Sequence, residues 1–158
     1  MNNNAKAQNY TIKEVATLCG LPESTLRYYE TIGLIHSIHR DVSSKHRLYT
    51  KEDVTFAEIV ACLNATGMSI EDMKGYFANR SRGAQAADEQ IELLEKHKKR
   101  LANEERYIKL RQKYVDNKIA YWKAIKVGDE KQSKTIKDSA SSFGKELQLL
   151  RIMNKNNL

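Results

Sequence analysis

Apolar residues recur along this chain in two different rhythms. In the first half they form short helical stripes: Ile12, Val15, Ala16 and Leu18-Cys19, then Leu26 and Ile32, then Phe56, Ile59, Val60 and Leu63, then Ile70, Met73, Tyr76 and Phe77. The third set follows the i, i+3, i+4, i+7 spacing of a helix with one face on a core. Capping signals open three of these helices, Thr11 with Glu14, Thr50 with Asp53, and Ser69 with Asp72, where a side-chain oxygen satisfies free amides of the first turn. Gly20, Gly33 and Gly67 stand where such helices stop. Leu21-Pro22 opens the second helix, since proline is tolerated in a first turn. The stretch from His36 to Tyr49 is polar, lacks a helical period and ends in Arg47-Leu48-Tyr49, which predicts a hairpin loop closed by a strand.

The second rhythm is a heptad. Leu94, Leu101, Ile108, Val115 and Trp122 recur every seven residues, and Leu93, Tyr107, Tyr114 and Tyr121 sit one place before four of them. A strict seven-residue seam winds helices into a left-handed coiled coil. Arg100 breaks the second column, and His97, Glu104, Arg111 and Lys118 are polar where an ordinary heptad has its second apolar position, so the seam is narrow. A lone helix over 86–126 has no core of its own and needs a partner. Beyond Gly128 the signal fades; residues 129–142 are expected to be mobile, and residues 145–153 fit a short amphipathic helix.

Composition changes this picture little. The chain has 158 residues, enough for one domain or a small one with an extension, and its single Pro and seven Gly favour helix. No apolar run is long enough for a membrane span, and no signal peptide is expected ahead of the fold. Cys19 and Cys62 lie far apart without a CxxC, which suits a reducing cytoplasm better than a structural disulfide. The net charge of +7 is unevenly placed: residues 1–79 hold 8 Lys and Arg against 9 Asp and Glu, residues 80–158 hold 19 against 11. Bulk charge is therefore no warrant for nucleic-acid binding in the first half; individually placed residues are. Cofactor and metal are both expected to be none. His36, His39 and His46 cluster, but no third ligand on a rigid backbone accompanies the His36-x-x-His39 pair.

Thr25-Leu26-Arg27-Tyr28-Tyr29-Glu30, followed by Gly33-Leu34-Ile35, resembles the recognition helix of the MerR family of winged-helix transcription regulators. The similarity runs from Tyr10 to about Phe77 and more loosely to about Trp122. Departures are Pro22, where many members carry Ser or Thr, and a tip reading Ser44-Lys45-His46-Arg47 where Asn-Gly-Tyr-Arg is usual. The resemblance implies a mainly α fold: a winged helix-turn-helix DNA-binding domain followed by a long antiparallel coiled-coil dimerisation helix. The expected organisation is a disordered tail over 1–9, the DNA-binding domain over 10–79, a hinge over 80–85, the dimerisation helix over 86–126, and a mobile or partly helical tail over 127–158.

It also implies the partners: double-stranded promoter DNA, RNA polymerase at the promoter, and a second copy of the chain, with no membrane. Expected DNA contacts are Thr11, Ser24, Arg27, Tyr28, Tyr29, Arg40, His46, Arg47 and Tyr49. Arg forks onto phosphate or guanine, Tyr and Ser hydroxyls reach phosphates, and Thr11 marks a helix amino end. One or two of the three tyrosines are expected to belong to the core. Dimerisation is expected along Leu94, Leu101, Ile108, Val115 and Trp122. Residues 110–158 contain no Cys, so the Cys pair of the metal-sensing branches is missing. The residues around Cys62 resemble the thiol- and aldehyde-responsive branch, where a single Cys at this place is the proposed electrophile sensor. Against that stands a small buried thiol with no effector. The chain also shows no room for the large ligand domain of the drug-binding branch. Readings from other classes are a coiled-coil adaptor whose winged module binds protein, and a thiol enzyme, for which no base or oxyanion partner of Cys62 is evident.

Overall fold

The computed structural model describes residues 9–155; apart from Asn9, the tail expected over 1–9 lies outside them, as do residues 156–158 of the C-terminal tail. The chain divides after Leu94 into two compact units.

In the first unit α1 (Ile12–Cys19) and α2 (Glu23–Thr31) form a tight pair, followed by α3 (Lys51–Ala65) and α4 (Ile70–Arg82). Capping boxes open α1 and α3, and the Ser69 side chain caps α4, as their sequences predict. Pro22 precedes α2 with no side-chain cap. The core gathers Val15, Leu26, Leu34, Ile35, Ile38, Tyr49, Ala57, Val60 and Met73. At roughly 1.5–3 kcal/mol for each large apolar side chain removed from water, this cluster is what holds the short helices together. Gly33, at φ 70°, ends α2: its N–H donates to the Glu30 carbonyl at 3.1 Å and the Leu34 N–H to that of Tyr29 at 2.9 Å. That closure turns the chain at once, so Leu34 and Ile35 enter the core and the following segment returns beside α2.

Residues 36–49 form the loop predicted from sequence, but the expected strand over 47–49 is reduced to isolated antiparallel bridges, Arg40 with Arg47 and Tyr10 with Tyr49. The tip is built around a side chain instead. Asp41 Oδ1 accepts from the Ser43 N–H (3.1 Å), the Ser44 N–H (2.7 Å) and the Ser44 hydroxyl (2.9 Å). These bonds, those from Ser44 above all, hold the Asp41 carboxyl below its ordinary range. The left-handed residue that glycine would supply is Lys45, at φ 61°, a conformation that costs a non-glycine residue about 1–2 kcal/mol.

A short 3-10 turn (Gly83–Ala86) leads from α4 into α5 (Ala87–Val127), and α6 (Glu130–Lys155) follows. Residues 129–142, expected to be mobile, lie largely within α6. The reason is a return of the chain at Gly128 (φ 75°), where the Asp129 N–H donates to the Ala124 carbonyl at 3.0 Å. This turn lays α6 against α5 as an antiparallel hairpin. Asn117 Nδ2 donates to Ser139 Oγ at 3.0 Å across it. Tyr107, Leu110, Tyr114, Asn117, Tyr121 and Ala124, spaced by three and four, are the buried and half-buried positions of this part of α5. Ser133, Ile136, Ala140, Phe143, Leu147 and Leu150 are their counterparts on α6. The tyrosine column beside the heptad thus faces a helix of the same chain. The heptad column itself stays open: Leu94, Leu101, Ile108, Val115 and Trp122 are 37–65% exposed. The polar positions expected to narrow the seam are otherwise engaged, with His97 buried, Arg111 over the Tyr107 ring and Lys118 over that of Tyr114.

Candidate nucleic-acid interface

The amino end of α1, the outer side of α2 and the loop over 36–49, the wing, enclose a concave surface lined by Thr11, Lys13, Arg27, Arg40, Asp41, Ser44, Lys45, His46 and Arg47, among others. Five cationic side chains converge there against the Asp41 carboxylate. Residues 1–79 carry no net positive charge, so it is folding that sorts the cations onto one face. Converging Lys and Arg on a concave wall suit a phosphodiester backbone.

Each predicted contact takes a definite place. Arg27 is exposed on α2 and makes an i,i+4 pair with Glu23 (Nη2 to Oε2, 2.7 Å) with both side chains well solvated. Such a pair is worth a few tenths of a kcal/mol, about 0.3–0.5, and yields readily to a phosphate. Tyr28 is 51% exposed and Ser24 lies exposed on the same helix. Arg40 and His46 are exposed on the wing, with Arg40 Nη1 donating to the Lys45 carbonyl at 3.3 Å. Lys13 and Lys45 join this surface without having stood out in the sequence; only the wing's return beside α1 brings them to it.

Tyr29 and Tyr49 are corrections. They are 5% and 1% exposed, and both belong to the core. The Tyr29 hydroxyl donates to Asn64 Oδ1 at 3.0 Å, tying α2 to α3, and burial pushes both phenols above their ordinary range. Three consecutive residues on a helix diverge by about 100° each, so Arg27 and Tyr28 face outward only because Tyr29 faces in. Thr11 borders the concavity, yet its hydroxyl and N–H both donate to Glu14 Oε2, at 2.8 and 2.7 Å, so the amino end of α1 already holds a carboxylate. Arg47 is mostly buried and its Nε donates to Glu30 Oε2 at 2.5 Å.

Elsewhere, His36 Nε2 lies 2.6 Å from Asp53 Oδ1 and its ring meets Phe56 edge-on. Among the described residues no three His, Cys, Asp or Glu side chains gather to hold a metal ion. Cys62 is exposed on α3. Cys19 is partly covered, and burial, then Glu58 and Cys62, push its thiol up, away from the reactive thiolate. Among the described residues no helix is long and apolar enough to cross a membrane.

A helix-turn-helix whose second helix and wing share a cationic concavity suits binding to duplex DNA. The family description "MerR HTH family regulatory protein" matches residues 10–80. Among relatives, the HTH-type transcriptional regulator AdhR of Bacillus subtilis is 34% identical over 90 residues, 57% of this chain and 64% of that protein. Among solved structures, HiNmlR, a MerR family regulator lacking the sensor domain and bound to promoter DNA, is 28% identical with a TM-score of 0.59, covering 77% of this chain and 96% of that one. A putative MerR family regulator from Listeria monocytogenes is 28% identical with a TM-score of 0.63, covering 82% and 98%.

Proposed function

We propose that the protein acts in the cytoplasm as a homodimer on a pseudo-palindromic promoter site, each protomer placing α2 in a major groove and its wing on the flanking backbone. The observation that carries this reading is the cationic concavity between α2 and the wing. HiNmlR, similar over most of the chain, was solved on promoter DNA, which supports it. The dimer reading rests on the open heptad column, with charge arguing for antiparallel pairing. Asp88, Glu89, Glu92 and Glu95 mark the start of α5, and Lys113, Lys118, Lys123 and Lys126 its end. Only an antiparallel partner sets one against the other. Two units at fixed spacing then bend and untwist the promoter spacer so that RNA polymerase reads both of its elements.

A gel shift on the duplex upstream of the protein's own gene tests this. Binding is expected to fall steeply with salt, by about 0.9 in log–log slope for each phosphate neutralised. Binding that ignores salt, or none at all, would favour a coiled-coil adaptor.

Exposure supports Cys62 as the thiol that meets an electrophile. In the dimer an adduct on this flank of α3 would wedge between the core and the partner's long helix; overpacking there costs roughly 1–3 kcal/mol, enough to change the angle between DNA-binding units by shifting a balanced two-state equilibrium. Cys62→Ser is expected to abolish the response to an aldehyde or quinone in a reporter assay and to leave operator binding intact. A Cys62→Ser protein that responds like wild type assigns the effector elsewhere or removes it altogether.

A further inference from the structure

We propose that Glu30 is a positioning residue which clamps both legs of the wing to the recognition helix, so that one carboxylate sets the separation of the two DNA-contacting elements. The proposal rests on the DNA-binding reading above and names a residue through which that binding becomes selective. Glu30 stands in the last turn of α2 with its side chain 11% exposed. Its two oxygens take different partners. Oε1 accepts from the Ile38 N–H at 3.2 Å, on the outgoing leg of the wing. Oε2 accepts from Arg47 Nε at 2.5 Å, on the returning leg. Between those two residues lie Arg40, Lys45 and His46, exposed on the wing.

Most other ion pairs of the described residues join exposed side chains on helix surfaces, where solvent and rotamer entropy leave them little weight. Glu30 and Arg47 are at most 18% exposed, so their charge-assisted bond is screened less. The base of the wing is already fixed by the buried Ile38 and Tyr49. What the carboxylate adds is the direction in which the wing leaves that base. It also orients Arg47. A guanidinium has five N–H donors; the one on Nε is engaged by Glu30, and Arg47 lines the concavity. A preformed fork loses less entropy on reaching a phosphate than a free one. Arg27 lies one turn earlier, so a single helical turn carries a groove-facing cation and the strut that holds the wing in register with it.

Glu30→Gln isolates the ionic arm. The Gln carbonyl still accepts from the Ile38 N–H, but the guanidinium loses its counter-charge. The expected result is about a tenfold fall in the ratio of operator to random-duplex affinity, with random-duplex affinity unchanged or higher, because an anion near DNA has been removed. The salt slope on random duplex should steepen by up to about one counterion. In an Arg47→Met background the same change should leave the ratio where Arg47→Met put it, since coupled residues are non-additive. Thermal melts establish that each variant is folded. If Glu30→Gln does not fold, Arg47→Lys decides: it keeps the charge and lacks the Nε fork, so it should lose the ratio at a wild-type salt slope. Equal losses on operator and random duplex, additive effects in the double variant, or an Arg47→Lys protein with wild-type selectivity would each overturn the clamp. A wild-type protein that binds neither duplex overturns the DNA-binding reading itself, and the clamp with it.

Discussion

Ile108→Asp together with Val115→Asp is expected to turn the protein into a monomer. Both residues lie on the open heptad column, 50% and 55% exposed in the single chain. In a symmetric dimer the two changes count twice. They remove four half-buried aliphatic side chains, worth roughly 1 kcal/mol each. They also place four carboxylates in an apolar seam, where desolvation without a partner adds several kcal/mol more. A total on the order of 6 kcal/mol corresponds to about four decades in dissociation constant. Sedimentation over a concentration series should show monomer where wild type is expected to be dimer, while circular dichroism keeps its helical signal, since neither side chain lies on the α5 face turned to α6. A dimer of wild-type affinity would show that the seam is ordinary exposed surface and that the DNA-binding units are paired by something else.

Arg27→Ala should then give the largest loss of DNA affinity among single substitutions. A charge-assisted contact in the groove is worth about 1–3 kcal/mol, and a dimer loses it at both half-sites, about 2–6 kcal/mol in all. Thermal stability should hardly move, because the present partner of Arg27 is the solvated Glu23 pair. The informative contrast is Tyr29→Phe. It removes the hydrogen bond to Asn64 and should lower stability by about 1 kcal/mol with no change in the salt slope. If Arg27→Ala binds operator DNA like wild type, α2 does not enter the groove as its exposed face suggests.

The helices were legible in the sequence because their signals are local. The Thr11–Glu14 and Thr50–Asp53 boxes, the stripe from Phe56 to Leu63 and the glycine stop after α2 all involve residues within a turn or two of one another. The wing tip was harder to read. Without Asn-Gly its turn type was open, and it depends on Asp41 gathering Ser43 and Ser44 while Lys45 accepts a left-handed backbone. Residues 129–142, expected within a mobile or partly helical tail, stand largely in α6. Ser133, Ile136 and Ala140 are their covered positions, on the side of α6 that meets α5.

What the sequence determined by itself is therefore the order of the helices, the recognition-helix motif and the heptad column. Each follows from propensity, capping and periodicity, which act over about four residues. The tertiary structure decided three further matters. It turned Tyr29 and Tyr49 into the core and left Tyr28 outside: the first two join the core cluster, and Asn64 of α3 accepts from the Tyr29 hydroxyl. It gathered Lys13, Arg27, Arg40, Lys45 and Arg47 from a segment without net positive charge into one concavity. It gave α5 two faces, one covered by α6 and one open. Burial and electrostatic potential depend on distance in space, and the turns at Gly33 and Gly128 bring together residues that the sequence keeps far apart.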